Sequence, residues 1–181
     1  MTIYNIKKIN GKKVRVWNRG RSRGLEQAKE ILGDLRREVN ALLKTKNKIK
    51  ILEVGCGYGR VLLELKKIYG DKIETYGINK EPKWNLKLIK IFGVAEKIFS
   101  KKEIAKNLPK LTICKVNRKI PFKSNTFDLV FSERTIQYIS DKAKYLEELN
   151  RIATSGGIIL TDIQDGTENR WEILNKNKKI S

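Results

Sequence analysis

The stretch Lys50 to Glu64, KILEVGCGYGRVLLE, constrains the fold of this chain more than any other. Ile49, Ile51, Leu52 and Val54 form a short β-branched and aliphatic run, the pattern of a strand buried in a parallel sheet. Gly55, Gly57 and Gly59 follow at alternate positions, and Val61, Leu62, Leu65 and Ile68 then recur at helical spacing. A strand, a tight turn and a helix must therefore succeed one another. Glycines let that turn bend sharply and let a ligand approach with no Cβ in the way. The helix start beyond them offers unpaired N–H groups.

Two cofactor classes use such a unit. A dinucleotide site wants G-x-G-x-x-G with the pyrophosphate on the helix end. Here the third glycine comes one residue early, and Glu53 precedes the first. A carboxylate there repels a pyrophosphate and holds a cationic amino-acid moiety. The set Glu53, Gly55, Gly57 and Gly59 resembles motif I of the class I S-adenosylmethionine (SAM) methyltransferases, E/D-x-G-x-G-x-G, and matches it at every fixed position.

A chain of 181 residues fits one domain with a single substantial core. It has no run of some 18 apolar residues that could span a membrane. The N-terminal MTIYNIKKINGKK lacks the apolar stretch of a signal peptide, so a cytoplasmic protein is expected. Two cysteines make no disulfide framework, and Cys56 and Cys114 read as small reduced fillers. The absence of histidine excludes imidazole ligands and His bases, and no metal site is expected.

The formal charge of +20 suits an anionic partner, although abundant Lys, Ile and Asn together also fit compositional drift. Arginine is less easily explained that way, since six of eleven lie before Val39. Residues 1 to 23 carry eight basic side chains and no acid. Tyr4-Asn5-Ile6 and Val14-Arg15-Val16-Trp17 alternate around Asn10-Gly11, which predicts a short basic hairpin, then an Arg-Gly loop from Arg19 to Gly24. The arm either grips phosphate or the cofactor carboxylate, or covers a sheet edge.

Beyond the arm, apolar spacing predicts one amphipathic helix from Leu25 to Leu43. Ile73 to Ile78 forms a second strand, and Pro82 suits the first turn of the helix after it. Leu111 to Val116 and Phe127 to Ser132 form the third and fourth strands. Ser140 caps a helix bearing Leu146, Leu149 and Ile152, and Gly156-Gly157 turns into a fifth strand, Ile158 to Asp162. Strands alternating with helices mean an α/β fold with a mainly parallel sheet. Its ligand belongs at the strand ends: Glu53 to Gly59, Asn79 to Glu81, Val116 to Asn117, and Ser132 to Arg134.

With five strands placed, Ile49 to Asp162 resembles the small methyltransferase domain called methyltransferase type 11. ILEVGCGYGR, YGINKEP, IPFKSNTFDLVFSERTIQYI and LEELNRIATSGGIILTDI carry the likeness over almost two-thirds of the chain. It implies a Rossmann-like class I fold, SAM as cofactor and methyl transfer. The cofactor residues it implies, with the neighbouring strand ends, are Glu53, Gly55, Cys56, Gly57, Gly59, Asn79, Lys80, Val116, Asn117 and Ser132.

Three departures stand out. The family usually ends its second strand in an acid that takes both ribose hydroxyls, where this chain has Asn79, with Glu81 as a substitute two residues on. The family often has Asp at the Val116 position for the adenine amino group, a role left here to Asn117 or a backbone carbonyl. The usual last two strands are expected to be missing, since the chain stops nineteen residues after Asp162. The fifth strand then needs a cover: Trp171 to Leu174, a partner or second copy, or the hairpin.

A sulfonium methyl is already activated, so the protein mainly aligns the nucleophile and excludes water. No Asn-Pro-Pro-Tyr-like tetrapeptide follows the fourth strand and no Pro-Cys pair stands there, which argues against base-amine and cytosine-C5 methylation of DNA. Glu133 is the polar candidate on the substrate side, as base or amine clamp, or alternatively a surface carboxylate beside Arg134. Three functions compete: a methyltransferase with an unidentified acceptor, a weak or inactive SAM-binding partner subunit, and an RNA-binding methyltransferase-like module.

Overall fold

The computed structural model describes residues 4–9, 12–17, 24–116, 119–164 and 169–175, with side chains for 24–116 and 119–162. Eight strands are seen there: β1 (Tyr4–Ile9), β2 (Lys12–Trp17), β3 (Ile49–Val54), β4 (Ile73–Asn79), β5 (Lys110–Ile113), β6 (Phe127–Ser132), β7 (Ala153–Gln164) and β8 (Asn169–Asn175). Among the described residues five α-helices are seen: α1 (Leu25–Leu32), α2 (Leu35–Leu43), α3 (Arg60–Tyr69), α4 (Leu86–Ala95) and α5 (Lys142–Ile152). β1 and β2 pair antiparallel from Tyr4↔Trp17 to Ile9↔Lys12 as a separate two-stranded sheet.

The main sheet has the order β5-β4-β3-β6-β7-β8, with its first five strands parallel. From β3 the chain steps outward through β4 to β5, then returns to β6 on the other side of β3. The crevice at the carboxyl ends of β3 and β6 is thus the topological switch point. The β3 side chains Ile49, Ile51, Leu52 and Val54 are fully buried, as a strand covered on both faces requires. On one face Ile51, Leu129, Phe131 and Leu160 pack against α1, α2 and α3 through Ala28, Leu32, Val39 and Leu62. On the other, Leu52, Val54, Val130 and Ile159 meet Tyr145, Leu149 and Ile152 of α5. α4 joins α3 in a smaller cluster that includes Leu63, Ile89 and Phe92.

Several boundaries differ from the sequence expectations, each for a local reason. The expected single helix from Leu25 to Leu43 is two helices. Gly33 ends the first at φ +79, and Asp34 caps the second by accepting the Arg36 N–H at 3.0 Å. The helix expected from Pro82 starts at Leu86, because Asn85 takes the Leu88 N–H at 3.1 Å. Likewise Asp141, not Ser140, caps α5 through the Lys144 N–H.

At the sheet edges, the third strand ends at Ile113, so Val116 lies in a turn. The fifth strand runs directly out of α5 at Ala153, with a register irregularity opposite Phe127–Leu129. The largest correction is at the C-terminus. The expectation of a tail with neither final strand is overturned by β8, which pairs antiparallel with β7 from Ile158↔Asn175 to Gln164↔Asn169. The segment Trp171 to Leu174 lies within that strand, so β7 is not a sheet edge.

Candidate functional site

The glycine turn leaves β3 at the switch point. Gly55 N and Cys56 N both donate to the Ile78 carbonyl at 2.8 and 3.1 Å, and Gly59 N donates to Cys56 O at 2.7 Å. Gly55, Gly57 and Gly59 have φ of +81°, +52° and +64°, a left-handed region that other residues enter at a cost. A Cβ on Gly55 would also lie 2.0 Å from Thr135 Oγ1. A Cβ on Gly57 would meet nothing within 4 Å, so the middle of the turn borders open space.

Asn79 ends β4 and turns its side chain inward. Its Oδ1 accepts the Gly57 N–H at 2.7 Å, while its Nδ2 donates to Gly57 O at 3.0 Å and Trp84 O at 2.9 Å. Only 3% of the residue is exposed. Both amide donors are therefore committed to the backbone. Trp84 in turn sits edge-on to Tyr58 at 4.8 Å between ring centroids, and Tyr58 stacks on Phe92 at 4.9 Å. One hydrogen-bonded side chain thus joins the glycine turn to an aromatic wall.

Glu53 is the electrostatic centre of the site. It is buried in β3, and its Oε2 has no hydrogen-bond partner among the described residues. Burial and the neighbouring Glu133 carboxylate push its pKa well above the ordinary carboxylate range. Burial and Glu53 together raise the Cys56 thiol well above its usual value, which makes Cys56 an inert filler rather than a nucleophile. Cys56 packs against Gly77, where a Cβ would come within 2.6 Å of its Sγ.

Ser132 ends β6, is fully buried and accepts the Tyr145 hydroxyl at 2.9 Å. Glu133 follows it, half-buried, and Arg134 adopts φ +52° with its N–H donated to both Asp162 oxygens at 2.8 and 2.9 Å. Lys80 is exposed beside the Asn79 end of β4. Val116 is 8% exposed and packs with Leu52, Val54 and Ile78, so it contributes an apolar floor. Asn117 lies outside the described residues.

The structure therefore brings together Glu53, Gly55, Cys56, Gly57, Gly59, Asn79 and Glu133 at one crevice. Sequence reasoning missed two supports. Thr135 packs over Gly55 and donates its hydroxyl to the Val54 carbonyl at 3.1 Å, and Asp162 fixes the Arg134 backbone. An acid at a strand end was a readable signal for Asp162, whereas Thr135 had none.

These features define a doubly wound α/β domain whose switch point sets a buried acid beside a glycine turn. Residues 52–161 match the family profile described as Methyltransferase domain, and the chain belongs to that family. It is 32% identical over 113 residues to norajmaline N-methyltransferase of Rauvolfia serpentina, covering 61% of this chain and 34% of that protein. It is also 29% identical over 111 residues to the mitochondrial arginine-hydroxylase NDUFAF5 of Rattus norvegicus, covering 60% and 27%. The chain thus spans about a third of the length of these curated relatives. Among solved structures, a candidate sarcosine dimethylglycine methyltransferase from Galdieria sulphuraria superposes with a TM-score of 0.54 at 19% identity, over 75% of this chain and 51% of that one. That likeness shows the fold.

SAM is the cofactor that goes with this family. The residues present fit it. Its α-ammonium brings three donors to a carboxylate oxygen that is buried and unpartnered, and the open side of Gly57 leaves room for the chain carrying it.

Proposed function

We propose that this domain is a SAM-dependent methyltransferase acting on a nucleophilic acceptor. The unpartnered Glu53 oxygen at the head of the glycine turn carries the reading, since a buried carboxylate is costly unless a cation meets it. When bound, SAM supplies a methyl group already activated by its sulfonium. Glu53 would orient the amino-acid end, with the backbone from Gly55 to Gly59 lining its path. The half-buried Glu133, beyond β6, faces the acceptor, clamps an amine there and takes up the proton released on transfer. Val116, packed on the buried Ile78 and Val54, would present the apolar side chain that excludes water near the nucleoside.

The acceptor class is assayed by incubating the protein with methyl-labelled SAM and extracts of metabolites, RNA or protein. Label transferred to any acceptor supports the reading. SAM binding with no transfer to any fraction supports instead a non-catalytic SAM-binding subunit. That second reading is supported by Asn79, whose amide donors are committed to backbone carbonyls, and by Val116, which offers an apolar side chain to the adenine.

RNA is the partner suggested by the basic arm, with eight cations and no acid in residues 1–23, and a cytoplasmic location fits that use. No helix of the described residues is long and apolar enough to cross a membrane. If the arm grips RNA, log K should fall with log salt by about 0.7 per phosphate neutralised, and removing residues 1–23 should flatten the slope while SAM binding persists. Unchanged salt-dependent RNA affinity in that truncated protein contradicts the assignment.

A further inference from the structure

We infer that Asn79 is a positioning residue for the glycine turn, and that this site reads its ligand by the amino-acid end while remaining indifferent to the ribose hydroxyls. The inference rests on the SAM-binding reading above. Three observations carry it. First, the Asn79 amide spends both donors on the Gly57 and Trp84 carbonyls and accepts from Gly57 N–H, all at 2.7–3.0 Å. Second, the side chain is nearly inaccessible, with 3% of the residue exposed, so a diol would have to displace the turn to reach it. Third, the acid two residues on does not replace it: Glu81 is exposed and ion-paired with Lys83 at 2.5 Å.

The contrast with Glu53 is chemical. Glu53 holds a buried acceptor with no partner, and Asn79 holds a buried amide with its donors filled. A ligand gains where an unmet group waits for it, and gains little where every donor is already matched. The site should therefore select for an ammonium-bearing chain and tolerate change in the sugar.

The test is a calorimetric series on the unaltered protein with S-adenosylhomocysteine, its 2′,3′-dideoxy analogue and 5′-deoxy-5′-methylthioadenosine, which lacks the amino-acid end. The dideoxy analogue should bind within about threefold of S-adenosylhomocysteine, and the methylthio nucleoside roughly tenfold or more weakly, as expected for losing a hydrogen bond to a charged group. A dideoxy analogue weakened by more than about threefold overturns the inference, because it shows that the hydroxyls are recognised. No binding of S-adenosylhomocysteine itself overturns the underlying reading and the inference with it.

A variant adds a second readout. Asn79→Asp removes the donors to Gly57 O and Trp84 O, so S-adenosylhomocysteine should bind roughly threefold or more weakly than to the unaltered chain. Tighter binding in that variant, with the fold retained by circular dichroism, contradicts the positioning role. Should the variant fail to fold, the ligand series decides alone. The ratio of dideoxy to parent affinity is the discriminating quantity, since a side chain that held the ribose hydroxyls would weaken the dideoxy analogue, whereas an Asn79 whose donors are filled leaves the ratio near one.

Discussion

A carboxylate in the middle of a parallel sheet, with one oxygen unpartnered, weakens the fold unless something cationic meets it. Glu53 is such a group, and its pKa in the fold lies well above its ordinary 4.5. The native state therefore keeps a proton that the unfolded chain releases. Stability owed to this residue should fall as pH rises from about 4.5 and level off only once the buried group ionises. Glu53→Met, similar in length and apolar, should raise unfolding stability at pH 8 by about 1–3 kcal/mol and by much less at pH 4. Denaturant titrations at the two pH values check this, and an equal effect at both contradicts it. The same variant should lose SAM affinity, because stability and ligand recognition compete at this position.

At the scale of elements, Gly77 faces Glu53 across the β3–β4 ladder and admits Cys56 against the sheet. Gly77→Ala should cost about 1–3 kcal/mol by overpacking, and Cys56→Ala in the same chain should recover most of it. A double-mutant cycle measures that coupling, and additive losses contradict the contact. A second link joins α5 to the loop before β6. Arg151 donates to the Ile120 and Phe122 carbonyls at 2.9 Å while Glu148 accepts the Ile120 N–H at 2.7 Å. Arg151→Ala leaves these part-buried groups unmet and should lower stability by about 1–3 kcal/mol in a urea titration.

Much of this architecture was legible in sequence. β3, the glycine turn and α3 followed from periodicity, and the Pro-Phe and Phe-Asp-Leu-Val stretches placed β6. What escaped were contests between neighbouring caps. Asn85 accepts the Leu88 N–H and starts α4 beyond Pro82, and Asp141 accepts the Lys144 N–H in place of Ser140. The inward turn of Asn79 was equally invisible, since it depends on where Trp84 O falls after folding.

For the whole molecule, β8 is the element that sequence reasoning weighed least. Its pairs with β7 close what would otherwise be an apolar strand edge beside Ile159 and Leu160. A chain ending at Gln164 should therefore self-associate, seen as concentration-dependent light scattering, whereas a monodisperse truncated chain contradicts this role. The basic composition does not bear on the fold, because the core clusters are built from aliphatic and aromatic residues on both sheet faces.

The central claim is that the turn from Glu53 to Gly59 binds SAM, and calorimetric titration of S-adenosylhomocysteine into the unaltered protein and Gly57→Val tests it most directly. Gly57 sits at φ +52° with open space beyond its Cα, so valine there would strain the turn and place two methyl groups in the proposed ligand space. The account predicts saturable binding of one ligand per unaltered chain and none by the variant, with the helical circular dichroism of both alike. Equal affinity in the two proteins contradicts it, and so does an unaltered protein that binds nothing.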